Sequence, residues 1–125
     1  QARCTELGRF SFHCQPPDFA GLMARSTLAI GAGGSTTWER CCLGVVSLII
    51  STAENQIDIA KGCHESDIAV YLGHTDSVTA SDIAKQVSVL LDDTARRSAL
   101  KENAMKMVDG NGARRVAEVI TDLIR

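Results

Sequence analysis

Aromatic side chains are scarce in this chain of 125 residues, at 4% of the total. Binders of single-stranded nucleic acid stack bases on such rings, so that class is disfavoured. An excess of one charge is also lacking. Thirteen Lys and Arg stand against 15 Asp and Glu, a formal net charge of −2. A basic nucleic-acid or membrane-surface protein would show the opposite balance. Two prolines and 10 glycines exclude collagen-like and polyproline-rich classes. No apolar run reaches the roughly 18 residues that suggest a membrane-spanning helix. The five cysteines, Cys4, Cys14, Cys41, Cys42 and Cys63, are odd in number and show no C-x-x-C spacing. A disulfide framework is therefore not expected, and reduced thiols in a cytoplasmic protein are. What is present, 45% hydrophobic and 22% charged residues, is the composition of a globular domain. The chain opens at Gln1 with neither Met nor a leader pattern, and reads as part of a longer protein.

Hydrophobic periodicity separates the elements. Residues 9–13 alternate and read as a strand. Asp18 is a plausible N-cap for a helix over 18–26, with Phe19, Leu22 and Met23 on one face. Residues 28–30 read as a buried strand and 36–43 as a helix stopped by Gly44. Residues 45–50 are apolar without alternation, the pattern of a strand buried on both faces. A short helix over 54–61 stopped by Gly62 and a strand over 68–72 follow. Helices are expected over 79–91, 94–108 and 113–125. Asp92 and Asp93 end one of these helices and start the next. Strands alternating with helices imply parallel strands joined by helical crossovers, a Rossmann-like, doubly wound α/β sheet in one domain spanning 1–125.

The stretch LAIGAGGSTTWERCCLG, residues 28–44, carries the chemistry. It reads as strand, glycine turn and helix. In a doubly wound sheet such a turn lies at the carboxyl end of a strand, where ligands bind. Glycines let the backbone approach a ligand closely, and the first N–H groups of a helix have no intrahelical partner. The arrangement suits a phosphate, with Ser35, Thr36 and Thr37 adding hydroxyls. The turn lacks the Lys of one common phosphate loop and the third glycine of the other. A plain strand-to-helix turn without a ligand has the same pattern. Glu39 has two readings. It could complete a capping box with Thr36, or its carboxylate could accept hydrogen bonds from a ribose diol. Ser51–Gln56 follows the next strand and should open on the same edge. Ser51 and Glu54 form a second possible capping box, and Asn55 and Gln56 offer neutral donors and acceptors suited to a sugar.

The run AIGAGGSTTWERCCLG followed by AENQ resembles the carboxyl-terminal half of the UDP-2,4-diacetamido-2,4,6-trideoxy-β-L-altropyranose hydrolase family of pseudaminic acid biosynthesis. That family is related to the MurG-like glycosyltransferases of the GT-B fold. Phe19-Ala20-Gly21-Leu22-Met23-Ala24 and Ile68-Ala69-Val70-Tyr71-Leu72-Gly73 extend the resemblance, which covers residues 9–125. It implies the carboxyl-terminal half of a GT-B fold, with the active site in a cleft between two domains. Carried over, Gly33, Gly34, Ser35 and Thr36 would bind the diphosphate of UDP or a UDP-sugar. Glu39 would bind the ribose hydroxyls, and Asn55 and Gln56 would lie near the phosphates or the sugar. The uracil would lie against backbone near residues 12–15. Water attacks the anomeric carbon and releases UDP and the free sugar, with no metal or other cofactor.

The family's amino-terminal domain, which carries its catalytic histidine, has no counterpart in these residues. No catalytic residue is therefore assigned, and this chain alone is expected to bind UDP without hydrolysing it. Residues 44–47 also lack a proline that this turn often carries in the family. Two other readings stay open: the donor-binding domain of a GT-B glycosyltransferase, and a non-catalytic nucleotide-sugar-sensing domain fused to a cytidylyltransferase. His13, His64 and His74 read as solvated or structural. The cysteines match no zinc spacing and read as small packing residues.

Overall fold

β-Branched and apolar residues at 45–50 are too few for a helix and too apolar for a surface strand, and they form the centre of the sheet. The computed structural model describes residues 2–125. Helices α1 (Ala2–Leu7) and α2 (Phe19–Ala24) precede strand β1 (Leu28–Gly31) and helix α3 (Thr36–Cys42). Strand β2 (Val46–Ser51), a 3-10 turn (Glu54–Gln56), helix α4 (Ile57–Glu65) and strand β3 (Val70–His74) follow. Helices α5 (Ala80–Asp92), α6 (Thr94–Met107) and α7 (Gly112–Leu123) close the chain.

The sheet has the order β1-β2-β3, and both pairings are parallel. Leu28 pairs with Val46 and Gly31 with Ile49. Leu48 pairs with Val70, and the register shifts between Ile49 and Ile50, so that Ser51 meets His74. Successive β2 side chains point to opposite faces. Val46 and Leu48 pack with Val70, Leu90 and Leu100 on one face. Ile49 packs with Cys41, Ala60, Cys63, Ile68, Ala69 and Ala104 on the other. Helices thus cover both faces, as the parallel sheet requires. This is the expected α/β open sheet, with three strands.

Local chemistry fixes the helix ends. Thr79 and Asp82 form a reciprocal capping box at α5. Asp93 caps α6 by accepting from the Arg96 N–H at 2.8 Å, so the adjacent aspartates do divide α5 from α6. Asp18 caps α2 in the same way, accepting from the Gly21 N–H at 2.8 Å. Gly44, at φ +66°, ends the α3 segment in a left-handed conformation open to glycine. Arg96 then pairs with Asp67, which ties α6 to the turn between α4 and β3.

Two expectations fail. Residues 9–13 form no strand. Phe10 and Phe12 are 59% and 53% exposed, and a strand without a paired neighbour and a buried face is not stable. Helix α4 does not stop at Gly62 but runs on to Glu65. Burial of Cys63, 2% exposed, outweighs the cost of about 1 kcal/mol for glycine within a helix. On α6, Leu100 and Ala104 are buried and Met107 is 56% exposed. Helix α7 buries none of its residues, although Val116, Val119, Ile120 and Leu123 line one stripe. Among the described residues, no helix is long and apolar enough to cross a membrane.

The two kinds of apolar residue predict different costs. Leu48→Ala should lower the unfolding free energy by about 3 kcal/mol, within the usual range for a buried leucine. Ile120→Ala on the exposed face of α7 should change it by less than about 0.5 kcal/mol. Urea unfolding followed by far-UV circular dichroism checks both. Equal costs would mean that α7 packs on the sheet.

Candidate functional site

Three parallel strands end at one edge, and their following loops meet there. The turn after β1 holds Gly33, Gly34 and Ser35, and the loop after β2 holds Asn55 and Gln56. A Cβ on Gly33 would lie 3.2 Å from the Gln56 carbonyl oxygen and 3.3 Å from Ile49 Cγ2. Glycine at this position lets the first turn rest directly on the second loop. The structure therefore brings Gly33 and Gln56 together, residues 23 positions apart in the chain. A Cβ on Gly34 would meet nothing within 4 Å, so that part of the turn faces open space. Ser35 is exposed and Thr36 half-buried beside it. Thr37 is fully buried, so the third hydroxyl points into the fold and not toward a ligand.

Neither expected capping box forms. Ser35, not Thr36, is the residue before α3, and its side chain makes no cap bond. Thr36 is the first helical residue, which moves Glu39 one place beyond the position a capping box needs. The Glu39 carboxylate has no hydrogen-bond or ion-pair partner among the described residues, and the side chain is exposed. It lines an apolar cavity of about 430 Å³ with Ala20, Met23, Trp38, Cys42 and Leu43. Residues 12–15 do not line this cavity. Ser51 does not cap the 3-10 turn. It ends β2 and is hydrogen-bonded to the Tyr71 hydroxyl at 2.7 Å.

The second loop is closed by one of the expected site residues. Gln56 Oε1 accepts from the Thr52 backbone N–H at 3.0 Å and from the Thr52 hydroxyl at 3.2 Å. Gln56 therefore shapes the loop with its oxygen. Asn55 is exposed beside it. His74 ends β3 on the same edge, and its Nδ1 accepts from the Asp76 backbone N–H at 3.4 Å. His64 lies elsewhere, where Nδ1 accepts from the Tyr71 backbone N–H at 3.3 Å, a structural role. His13 is exposed.

Sequence reasoning missed Arg40, which is 5% exposed. Its Nε donates to Ser47 Oγ at 3.1 Å, and its Nη2 donates to the Ala32 carbonyl at 3.0 Å and to Thr37 Oγ1 at 3.1 Å. One side chain thus joins the glycine turn, α3 and β2. A Cβ on Gly31 would lie 2.6 Å from Arg40 Nη1, so the guanidinium occupies the space a larger residue would need. No carboxylate pairs with Arg40 among the described residues. Burial pushes its pKa down from the ordinary value, since water no longer supports the charge. The signal was legible in the pattern of α3, where Thr37, Arg40 and Cys41 share the inward stripe at helical spacing.

The five cysteines are free thiols. Burial, with Cys63 nearby, pushes the Cys41 thiol up to about 11, and burial also raises Cys63. Neither supplies a thiolate near neutral pH, so both act as packing residues. Iodoacetamide at pH 8 followed by peptide mass spectrometry should label the exposed Cys14 and leave Cys41 and Cys63 unmodified until urea is added. Rapid labelling of native Cys41 would contradict this.

No protein-family model matches the chain. The chain is 34% identical over 109 residues to the spore coat polysaccharide biosynthesis protein SpsG of Bacillus subtilis (strain 168). The match takes in 87% of this chain and 32% of the relative, so the chain spans about a third of the relative's length. An α/β sheet with a glycine turn at its carboxyl edge is thus joined to a sequence likeness to a protein of polysaccharide biosynthesis.

Proposed function

We propose that this chain is the UDP-binding half of a nucleotide-sugar hydrolase acting in the synthesis of a nonulosonic acid of the pseudaminic type. The carrying observation is the seating of Gly33 on Gln56, which joins the two loops at one edge. Glu39, on the helix that follows the first loop, has no bonded partner among the described residues and lines an apolar cavity. The likeness to a polysaccharide biosynthesis protein supports the same area of metabolism. In this reading the chain is the carboxyl-terminal half of a GT-B fold, and a second domain of the parent protein forms the other wall of the cleft.

Each residue type has a physical task. A diphosphate presents several acceptor oxygens and no donors. Backbone N–H groups of Gly33 and Gly34 and the hydroxyls of Ser35 and Thr36 match it as donors. A carboxylate only accepts, so Glu39 suits the two ribose hydroxyls. The apolar cavity beside it gives the nucleoside a dry wall. Asn55 and the amide nitrogen of Gln56 face the sugar side. In the reaction the bond from the anomeric carbon to the UDP oxygen breaks, and a bond from water oxygen to that carbon forms. The water proton passes to a base outside this chain. Holding the diphosphate stabilises the leaving group without any step at a residue described here.

Titration calorimetry of the 125-residue chain tests the reading. UDP should bind saturably and CMP more weakly. Glu39→Ala should weaken UDP by about tenfold, the loss expected for hydrogen bonds to a charged acceptor. Absence of UDP binding at millimolar concentration, or equal affinity for UDP and CMP, would contradict it.

A further inference from the structure

We propose that Arg40 is a positioning residue for an anionic ligand at the glycine turn. Its buried guanidinium fixes the shape of the turn from beneath and supplies a positive charge that, among the described residues, no carboxylate contacts directly. The inference deepens the UDP reading and rests on it for the identity of the ligand.

Arg40 lies behind the turn and not on its open side. The guanidinium packs against Gly31 and holds the Ala32 carbonyl at 3.0 Å. That bond draws a carbonyl oxygen inward, toward the protein. A carbonyl turned outward at this place would repel phosphate oxygens. Ser47 Oγ holds the opposite side of the guanidinium at 3.1 Å and itself donates to the Val45 carbonyl at 3.1 Å. The turn is thereby tied to the central strand and cannot shift without breaking several bonds.

The charge matters separately from the shape. A buried ion is costly to hold unless a counter-charge lies close. Here neutral oxygens satisfy the hydrogen bonds, and Glu39, exposed and one residue away, makes no bond to the guanidinium and supports its charge only through space. The field of a charge in a low-dielectric interior reaches farther than one at the surface. Gly31, against which the guanidinium packs, places no side chain between that charge and the turn. An anion seated on the turn adds a counter-charge to the distant one of Glu39. A neutral nucleoside beside Glu39 does not.

The test separates charge from shape. The chain and its Arg40→Met and Arg40→Lys variants are titrated with UDP, uridine and inorganic pyrophosphate. The unaltered chain should bind UDP at least about tenfold more tightly than uridine, and Arg40→Met should remove most of that preference while changing uridine affinity less than about threefold. Arg40→Lys keeps the charge without the fork and should keep part of the preference. Equal losses for UDP and uridine in Arg40→Met would overturn the proposal and leave Arg40 a strut for the fold. If neither UDP nor uridine binds the unaltered chain, the UDP reading fails and pyrophosphate decides for Arg40. Pyrophosphate binding lost in Arg40→Met supports the proposal, and no pyrophosphate binding by the unaltered chain overturns it. Should Arg40→Met fail to fold, Gly34→Asp replaces it, because a side chain there meets open space. That variant should lose the preference for anions, and its retention would also overturn the proposal.

Discussion

Parallel pairing is the constraint on which the rest of this structure depends. When three strands run in one direction, all of them end at one edge. Every connection must then cross back over a face, and helices make those crossings. The crossing helices α3 and α4 cover the Ile49 face of the central strand β2, with Cys41, Ala60 and Cys63, and the later helices α5 and α6 cover the Leu48 face with Leu90 and Leu100. The loops gathered at the carboxyl edge pay no such packing cost. They are free to carry glycines and hydroxyls in place of apolar residues, and the candidate site is built from them.

Polar groups inside the sheet link that edge to the core. Ser47 and Ser51 are 1% and 0% exposed in a strand that is otherwise apolar. Each is satisfied, Ser47 by Arg40 and the Val45 carbonyl, Ser51 by Tyr71. Unsatisfied, each would cost about 1–3 kcal/mol. Their partners sit in the glycine turn's supporting helix and in β3. The bonds that make these serines tolerable therefore also fix the positions of the flanking elements. The turn is held by specific hydrogen bonds from below and by van der Waals contact with Gln56 from the side.

The parts legible in the sequence were those governed by near-neighbour chemistry. Runs of apolar residues gave β1, β2 and β3, and Asp18, Asp93 and Gly44 marked helix boundaries correctly. The glycine turn and the second loop were placed on one edge by the βαβ order alone. What was not legible depended on contacts between distant residues. Residues 9–13 have the alternation of a strand, but no neighbour pairs with them. Gly62 reads as a helix stop, yet burial of Cys63 carries α4 past it. Thr36 and Glu39 have capping-box spacing, but the helix starts one residue earlier than that box requires. Arg40 was passed over, although it shares the inward stripe of α3 with Thr37 and Cys41. The helix over 113–125 was legible from its spacing, and the exposure of its apolar stripe follows from no local signal.

The central claim is that the glycine turn and the second loop form one seat for the diphosphate of a nucleotide. Titrating ¹⁵N-labelled chain with UDP and following backbone amide shifts tests it residue by residue. The account predicts saturable shifts concentrated at residues 31–39 and 52–56, with α7 unaffected. Shifts confined to α7 or to the opposite edge of the sheet, or no shifts at millimolar UDP, would contradict it.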